Sequence, residues 1–414
     1  MVSRHWDGLD MVDLLKLLLI LGLMVFLLAK KWDLGLVLLF NTVVVALLFG
    51  YPAVDWVRSV AGGLVAADTV GLVGAVFLVL VLAELMRRTR ASDEMVASLQ
   101  ALVPDSRITL ALMPLMIGLL PMVGGAMFSA PMVNEVGARL DVSPDRKTFI
   151  NYWFRHAMEY VFPLYSSLLM MAALLSVSVF EFVRLSWPLT FAALASGVLW
   201  GLLGIDRTAE AVEPRRATEG AWRMLLRSTW PLILVVLAVV GLKLPMVVSL
   251  IGVIVLFAVA KRVGPDQWLN VIRCSFPLGT FSALFGVMIF KHVMEDAGAV
   301  NQIPQALSAL GLPAMLVAFV VPLIAGLLTG TAAATLALSV PLVSPLLVGG
   351  PLDEMTAGLW LFVAGFSGVL LSPLHLCLAL TKEYFEASWG PIYRRIVPSV
   401  GLVTLAAIGL LLLR

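Results

Sequence analysis

The residues best suited to chemistry in this chain are ionisable groups set among apolar ones. Asn151, Arg155, His156, Glu159 and Tyr160 fall close together in an otherwise apolar stretch. Charged side chains at membrane depth are costly and usually functional. Arg155 and Glu159 stand four apart, so on a helix they share a face and can form an ion pair. The alternative is a division of labour. Arg155 or His156 meets an anionic substrate, and Glu159 or a histidine carries a coupling proton, a role that suits a group titrating near neutral pH. His375 stands in a similar setting and is the best single contact for a substrate or a proton. Lys291 and His292 lie near the end of their apolar run, where a long side chain reaches back to the interface.

Each cluster adjoins a proline. The first reads Glu159-Tyr160-Val161-Phe162-Pro163-Leu164-Tyr165-Ser166-Ser167, and the second reads Leu370-Leu371-Ser372-Pro373-Leu374-His375. An interior proline removes a backbone donor and breaks or kinks a helix. The carbonyls freed there can face a cation or water, and the hydroxyls of Tyr165, Ser166 and Ser372 flank the breaks.

Upstream of each break lies a doubled segment. Residues 114–133 read PLMIGLLPMVGGAMFSAPMV, and residues 322–343 read PLIAGLLTGTAAATLALSVPLV. Pro114-Leu115 and Gly118-Leu119-Leu120 recur 208 positions on as Pro322-Leu323 and Gly326-Leu327-Leu328. Each copy is an apolar run, a small-residue interruption and a second apolar run, and neither run alone spans a bilayer. Paired interrupted segments of this kind mark the binding site of a secondary transporter. Helix N-termini at such interruptions offer free N–H groups to an anion. Gly124 and Gly125 supply backbone at the first tip. Thr329, Gly330 and Thr331 form the second, with Ser129, Thr335 and Ser339 adding hydroxyls. The plainer reading is that the small residues only let helices approach closely.

These segments belong to a larger repeat. Pro163-Leu164 matches Pro373-Leu374 and Pro188 matches Pro398, both at an offset of 210. Ordered offsets over the whole length indicate an internal duplication. The domains are then a first repeat over 1–204, a polar linker over 205–227 and a second repeat over 228–414.

Composition fixes the setting. Of 414 residues, 61% are hydrophobic and 13% charged, about half the charge of a soluble chain, and mean hydropathy is +1.02. Apolar windows of about 18 residues match membrane helices. The fold expected is an all-α polytopic membrane protein built as two inverted repeats, each with five transmembrane helices, one of them broken, plus one re-entrant hairpin. Charge orients it. With the N-terminus outside and the linker cytoplasmic, 20 of the 28 Lys and Arg residues fall on the inner side, as the positive-inside rule requires. The expected location is the inner cell membrane. Residues 11–29 are expected to be a retained first helix, since no small-residue cleavage site follows them.

A net charge of +2 gives no case for nucleic acid. Cys274 and Cys377 show no metal spacing and are expected to be small core residues, so no metal and no cofactor are assigned beyond a coupling Na+ or H+. No phosphate-cradling GxxxxGK[ST] is present, so ATP-driven transport has no support. Gly365-Phe366-Ser367-Gly368 has the GxSG form of rhomboid-type intramembrane serine proteases. His375 lies in the same segment, however, whereas a rhomboid takes its histidine from another helix.

The whole pattern resembles the ion transporter superfamily of secondary anion carriers, which includes dicarboxylate, citrate and gluconate permeases. The segment LLPMVGGAMFSAPM (119–132) further resembles an uncharacterised prokaryotic subfamily of that group. The resemblance implies a substrate held between the hairpin tips and the broken helices, moved by an elevator motion against a homodimeric scaffold in membrane lipid. The sodium-coupled members carry a Ser-Asn-Thr motif at their tips, and neither tip has it here, which favours proton coupling. The function expected is symport of a small organic anion, a carboxylate first. A carrier of a lipid-like anion is the alternative, suggested by the bare first tip with Phe128 and Phe162 near it.

Overall fold

A single run of Leu, Val and Ala can satisfy its own backbone polar groups away from water only as a helix. The computed structural model describes residues 8–103, 106–120, 125–205, 220–299, 313–347 and 352–413, and all regular structure among them is helical. In chain order the α-helices are α1 Gly8–Ala29, α2 Leu34–Leu48, α3 Ala53–Val65, α4 Ala67–Arg88, α5 Ala91–Leu102, α6 Ser106–Gly118, α7 Ala126–Arg139, α8 Pro144–His156, α9 Ser166–Leu174 and α10 Val179–Gly197. They continue as α11 Ala221–Val236, α12 Met246–Ala260, α13 Pro265–Cys274, α14 Leu278–Asp296, α15 Ala314–Thr329, α16 Ala332–Val343, α17 Glu354–Leu371, α18 Leu376–Tyr384 and α19 Trp389–Leu412.

Local chemistry sets several boundaries. Asp33 caps α2 by accepting from the Gly35 N–H at 3.0 Å. Asp353 caps α17 through the Thr356 N–H at 3.0 Å. Ser178 and Glu181 form a reciprocal capping box at the start of α10, and Pro144 and Pro265 open α8 and α13, where no N–H is needed. The Asp33 carboxylate also accepts from the Ser282 hydroxyl at 2.8 Å, which ties α2 to α14.

Among the described residues, six helical stretches are long and apolar enough to cross a membrane: Ala67–Arg88, Val179–Leu202, Ala221–Gly241, Leu278–Asp296, Glu354–Tyr384 and Trp389–Leu412. Others are apolar but shorter. The 13 residues of α6 and the 16 of α15 extend about 20–24 Å, short of the roughly 30 Å hydrocarbon core. α6 packs on α7, and α15 packs on α16. The first tip expected from sequence, through Gly124, lies outside the described residues.

The apolar runs read from sequence coincide with helices. Hydropathy passes over α3, α5 and α13; α13 (PDQWLNVIRC), for one, mixes polar with apolar residues and buries only Val271. α11 begins at Ala221, inside the expected linker.

Long-range packing joins the two halves of the chain. α2 packs on α14, and α4 on α12. α7 packs on α18, and α9 on α16. α8 and α17 sit inside the bundle, and Phe149, Tyr152, Trp153 and Phe362 are among the largest fully buried side chains.

Candidate functional site

Two helices stop and restart in the middle of the structure. α8 ends at His156, tightens into a 3-10 turn over Ala157–Tyr160, and α9 begins at Ser166. α17 ends at Leu371, and α18 begins at Leu376. These are the breaks that Pro163 and Pro373 predict.

Each break holds the end of a short helix. At the first, the Tyr165 hydroxyl donates to the Gly118 carbonyl at the end of α6 and to the Arg155 carbonyl at 3.2 Å. The Arg155 guanidinium reaches the Ile117 carbonyl at 3.5 Å. At the second, the Ser372 hydroxyl donates to the Leu327 carbonyl at 2.7 Å, and His375 Nδ1 donates to the Gly330 carbonyl at 2.8 Å. Tyr165 and His375 are each two residues past the break proline, so one position does the same work in both halves.

Glycine makes these contacts possible. A Cβ on Gly118 would lie 2.3 Å from the Arg155 carbonyl oxygen, and one on Gly326 would lie 2.4 Å from that of Gly365. Gly330 closes α15 in the left-handed conformation at φ 63°, which a side chain disfavours. Gly368 presses on α15, where a Cβ would meet the Leu323 carbonyl oxygen at 2.1 Å, and Gly365 presses on α16, where one would meet the Thr335 methyl at 2.8 Å. The glycines of the GxSG stretch thus serve close helix packing.

The two breaks then meet. His156 Nε2 lies 3.1 Å from His375 Nε2. His156 Nδ1 donates to the Tyr152 carbonyl at 2.7 Å, and Glu159 Oε1 stands 3.8 Å from His156 Nε2. The Tyr152 ring packs on both imidazoles, with centroids 4.7 and 5.5 Å away, and its hydroxyl donates to the Leu370 carbonyl at 3.0 Å. Arg155 and His156 are buried, at 5% and 3% exposure. Arg155 is close enough to act electrostatically on Glu159. Asn151 donates to the Ala126 carbonyl at 2.9 Å, at the start of α7, and to the Thr381 hydroxyl at 3.2 Å. Its Oδ1 is buried with no hydrogen-bond partner among the described residues.

The remaining expected residues divide by exposure. Gly125 is buried at the entrance to α7. Ser129 is buried and donates to the Ala126 carbonyl at 3.3 Å. Thr335 is buried and donates to the Thr331 carbonyl at 2.7 Å, with the Thr329 hydroxyl 3.0 Å from its own. Ser339 donates to the Thr335 carbonyl at 2.6 Å. The second-tip hydroxyls are therefore committed largely to their own turn, and Ser166 and Thr331 are the exposed ones. Phe128 is exposed, whereas Phe162 is buried.

Sequence reasoning passed over two participants. Tyr152 reads as a core aromatic. Cys377 reads as a core thiol, and it is indeed buried, but its Sγ joins the Nε2 atoms of His156 and His375 in one group, all within 4.8 Å of one another. The signal was the His375-x-Cys377 spacing, and His156 comes from the other half of the chain.

A family model described as "Protein of unknown function (DUF401)" matches residues 12–413. The chain belongs to the DUF401 family. No curated protein matches it. What this DUF401 chain offers a ligand is thus read from its own site: two imidazoles, a thiol, a carboxyl group and a guanidinium where two helix breaks meet.

Proposed function

We propose that this protein is a secondary active transporter of a small organic anion, most simply a carboxylate, driven by a coupling proton or sodium ion. The observation that carries the reading is the meeting of the two helix breaks at His156 and His375, each break bound to the end of a short apolar helix. Transporter sites lie where discontinuous helices of two repeats converge near the bilayer midplane.

In this reading α6–α7 and α15–α16 are re-entrant hairpins entering from opposite faces, and the two halves are inverted repeats. The reciprocal packing of α2 on α14 with α4 on α12, and of α7 on α18 with α9 on α16, supports it. So does the pairing of Gly118 and Gly326, which press on equivalent turns of α8 and α17. The N-terminus lies outside, and the segment before α11 is cytoplasmic. The protein is placed in the inner membrane as a homodimer, with the hairpins and broken helices moving as an elevator. The anion sits beside the tips, with Arg155 and His375 near its charge and Glu159 and His156 serving the coupling ion.

A second reading, an amphiphilic anion, has its own observation. Leu328 and Leu374, next to Thr329 and His375, are 52% and 64% exposed, and Phe128 is 60% exposed. Leu328 and Leu374 adjoin site residues in the chain, and exposed apolar surface of this kind suits an acyl chain.

Ligand-dependent thermal stabilisation of the purified protein tests the proposal. The panel comprises mono-, di- and tricarboxylates and a long-chain fatty acid. At 100 Kd a ligand that binds only the folded state adds about 2.7 kcal/mol, so a true substrate raises the melting temperature in a saturable way. Stabilisation by a short carboxylate alone favours the first reading, and by the fatty acid alone the second. No shift from any anion contradicts both.

A further inference from the structure

We propose that His156, His375 and Cys377 form a binding site for a transition-metal cation of the zinc class. The inference rests on hydrogen-bond directions. The Tyr152 and Gly330 carbonyls can only accept, so Nδ1 of His156, at 2.7 Å, and Nδ1 of His375, at 2.8 Å, both carry the proton. A neutral imidazole protonated at Nδ1 has a lone pair at Nε2. The two Nε2 atoms lie 3.1 Å apart, so two lone pairs face each other. That arrangement is repulsive unless a cation lies between them.

Three further features select a metal ion over a shared proton. Cys377 Sγ is the third donor, all three ligand atoms lying within 4.8 Å of one another. A tetrahedral zinc with Zn–N bonds of 2.0–2.1 Å holds two ring nitrogens about 3.3 Å apart, close to the spacing here. An Nδ1–H donated to a backbone carbonyl is the usual outer support of a metal-bound histidine, fixing its tautomer and ring plane.

Glu159 Oε1, 3.8 Å from His156 Nε2, is placed to approach the fourth position. A nitrogen and sulfur donor set suits zinc, cobalt or copper(I) and not sodium, magnesium or calcium, which take oxygen.

Charge can be followed through binding. The Cys377 thiol loses its proton to solvent as the sulfur–metal bond forms. A divalent ion and the Cys377 thiolate together carry one positive charge, which a bound carboxylate would cancel. That link reaches toward the transport reading, but the site itself does not depend on it.

The test uses the full-length protein in detergent, stripped with a chelator and then titrated with Zn2+ and Co2+. The expected result is one tightly held Zn2+ per chain, and with Co2+ a thiolate-to-metal charge-transfer band. Cys377→Ser should abolish the band and weaken Zn2+ binding about tenfold or more. Cys274→Ser, at the exposed cysteine, should change neither.

Should Cys377→Ser fail to fold, maleimide labelling of Cys377 in the Cys274→Ser background gives the answer, because bound Zn2+ should protect the thiol. Absence of stoichiometric metal, or labelling indifferent to Zn2+, overturns the proposal, leaving a proton shared by the two imidazoles. Neither result touches anion stabilisation or uptake, so the two readings can fail separately.

Discussion

Replacing His375 with alanine should cut anion uptake about tenfold to a hundredfold while the protein still folds. The side chain is the link between three elements. Its Nδ1 holds the Gly330 carbonyl at the end of α15, and its Nε2 meets His156 at the end of α8. Alanine leaves that carbonyl without its donor, a loss of about 1–3 kcal/mol for a buried acceptor, and each 1.4 kcal/mol is about tenfold in an equilibrium. The tip of α15 is then free to leave the break it caps. Tyr165→Phe makes the matching change in the first half and should cost less, because Arg155 also reaches the end of α6 at Ile117. Initial uptake rates in vesicles, normalised to folded protein by size-exclusion chromatography, give the comparison. Equal loss in both variants would show that the two breaks are supported in another way.

Gly326→Ala should be the more damaging change to the fold. The added Cβ would stand 2.4 Å from the Gly365 carbonyl oxygen and 2.7 Å from the Val369 nitrogen. Both obstacles are backbone, so no side chain can swing aside, and α15 must part from α17. Overpacking of this kind costs about 1–3 kcal/mol and at times more. Gly401→Ala gives the internal contrast. Gly401 lies in α19 with nothing within 4 Å of an added Cβ, so alanine there should stabilise by about 0.5–1 kcal/mol through better helix propensity. Thermal unfolding of the two variants should therefore move in opposite directions. A neutral Gly326→Ala would mean that α15 and α17 pack less tightly than these contacts require.

Most of the architecture was legible because its signals are strong ones. Long apolar runs form helices, and Pro163 and Pro373 lie at the two breaks. The matched motifs around Gly118 and Gly326 both lie against a neighbouring helix backbone, at Arg155 and Gly365. Short amphipathic pieces were not legible. α3 and α13 bury few side chains and give hydropathy little to detect.

The site was legible in part. Arg155, His156, Glu159 and His375 stood out because ionisable groups are rare in such surroundings. The hydroxyls gave no sign of their local bonds. A Ser or Thr inside a helix readily satisfies itself on the carbonyl four residues back, as Thr335 and Ser339 do. Cys377 was hidden for a different reason. No spacing rule joins a cysteine in one half to a histidine in the other, and only the fold brings them together.

The most direct measurement of the central claim is uptake into proteoliposomes carrying the purified protein. Radiolabelled carboxylates are offered with an imposed proton gradient, an imposed sodium gradient, or neither. The account predicts concentrative, saturable uptake of at least one anion under one of the gradients, collapsing when the gradient is dissipated and reduced in the His375→Ala protein. Uptake that never exceeds that of protein-free liposomes, for every anion and both gradients, would contradict it.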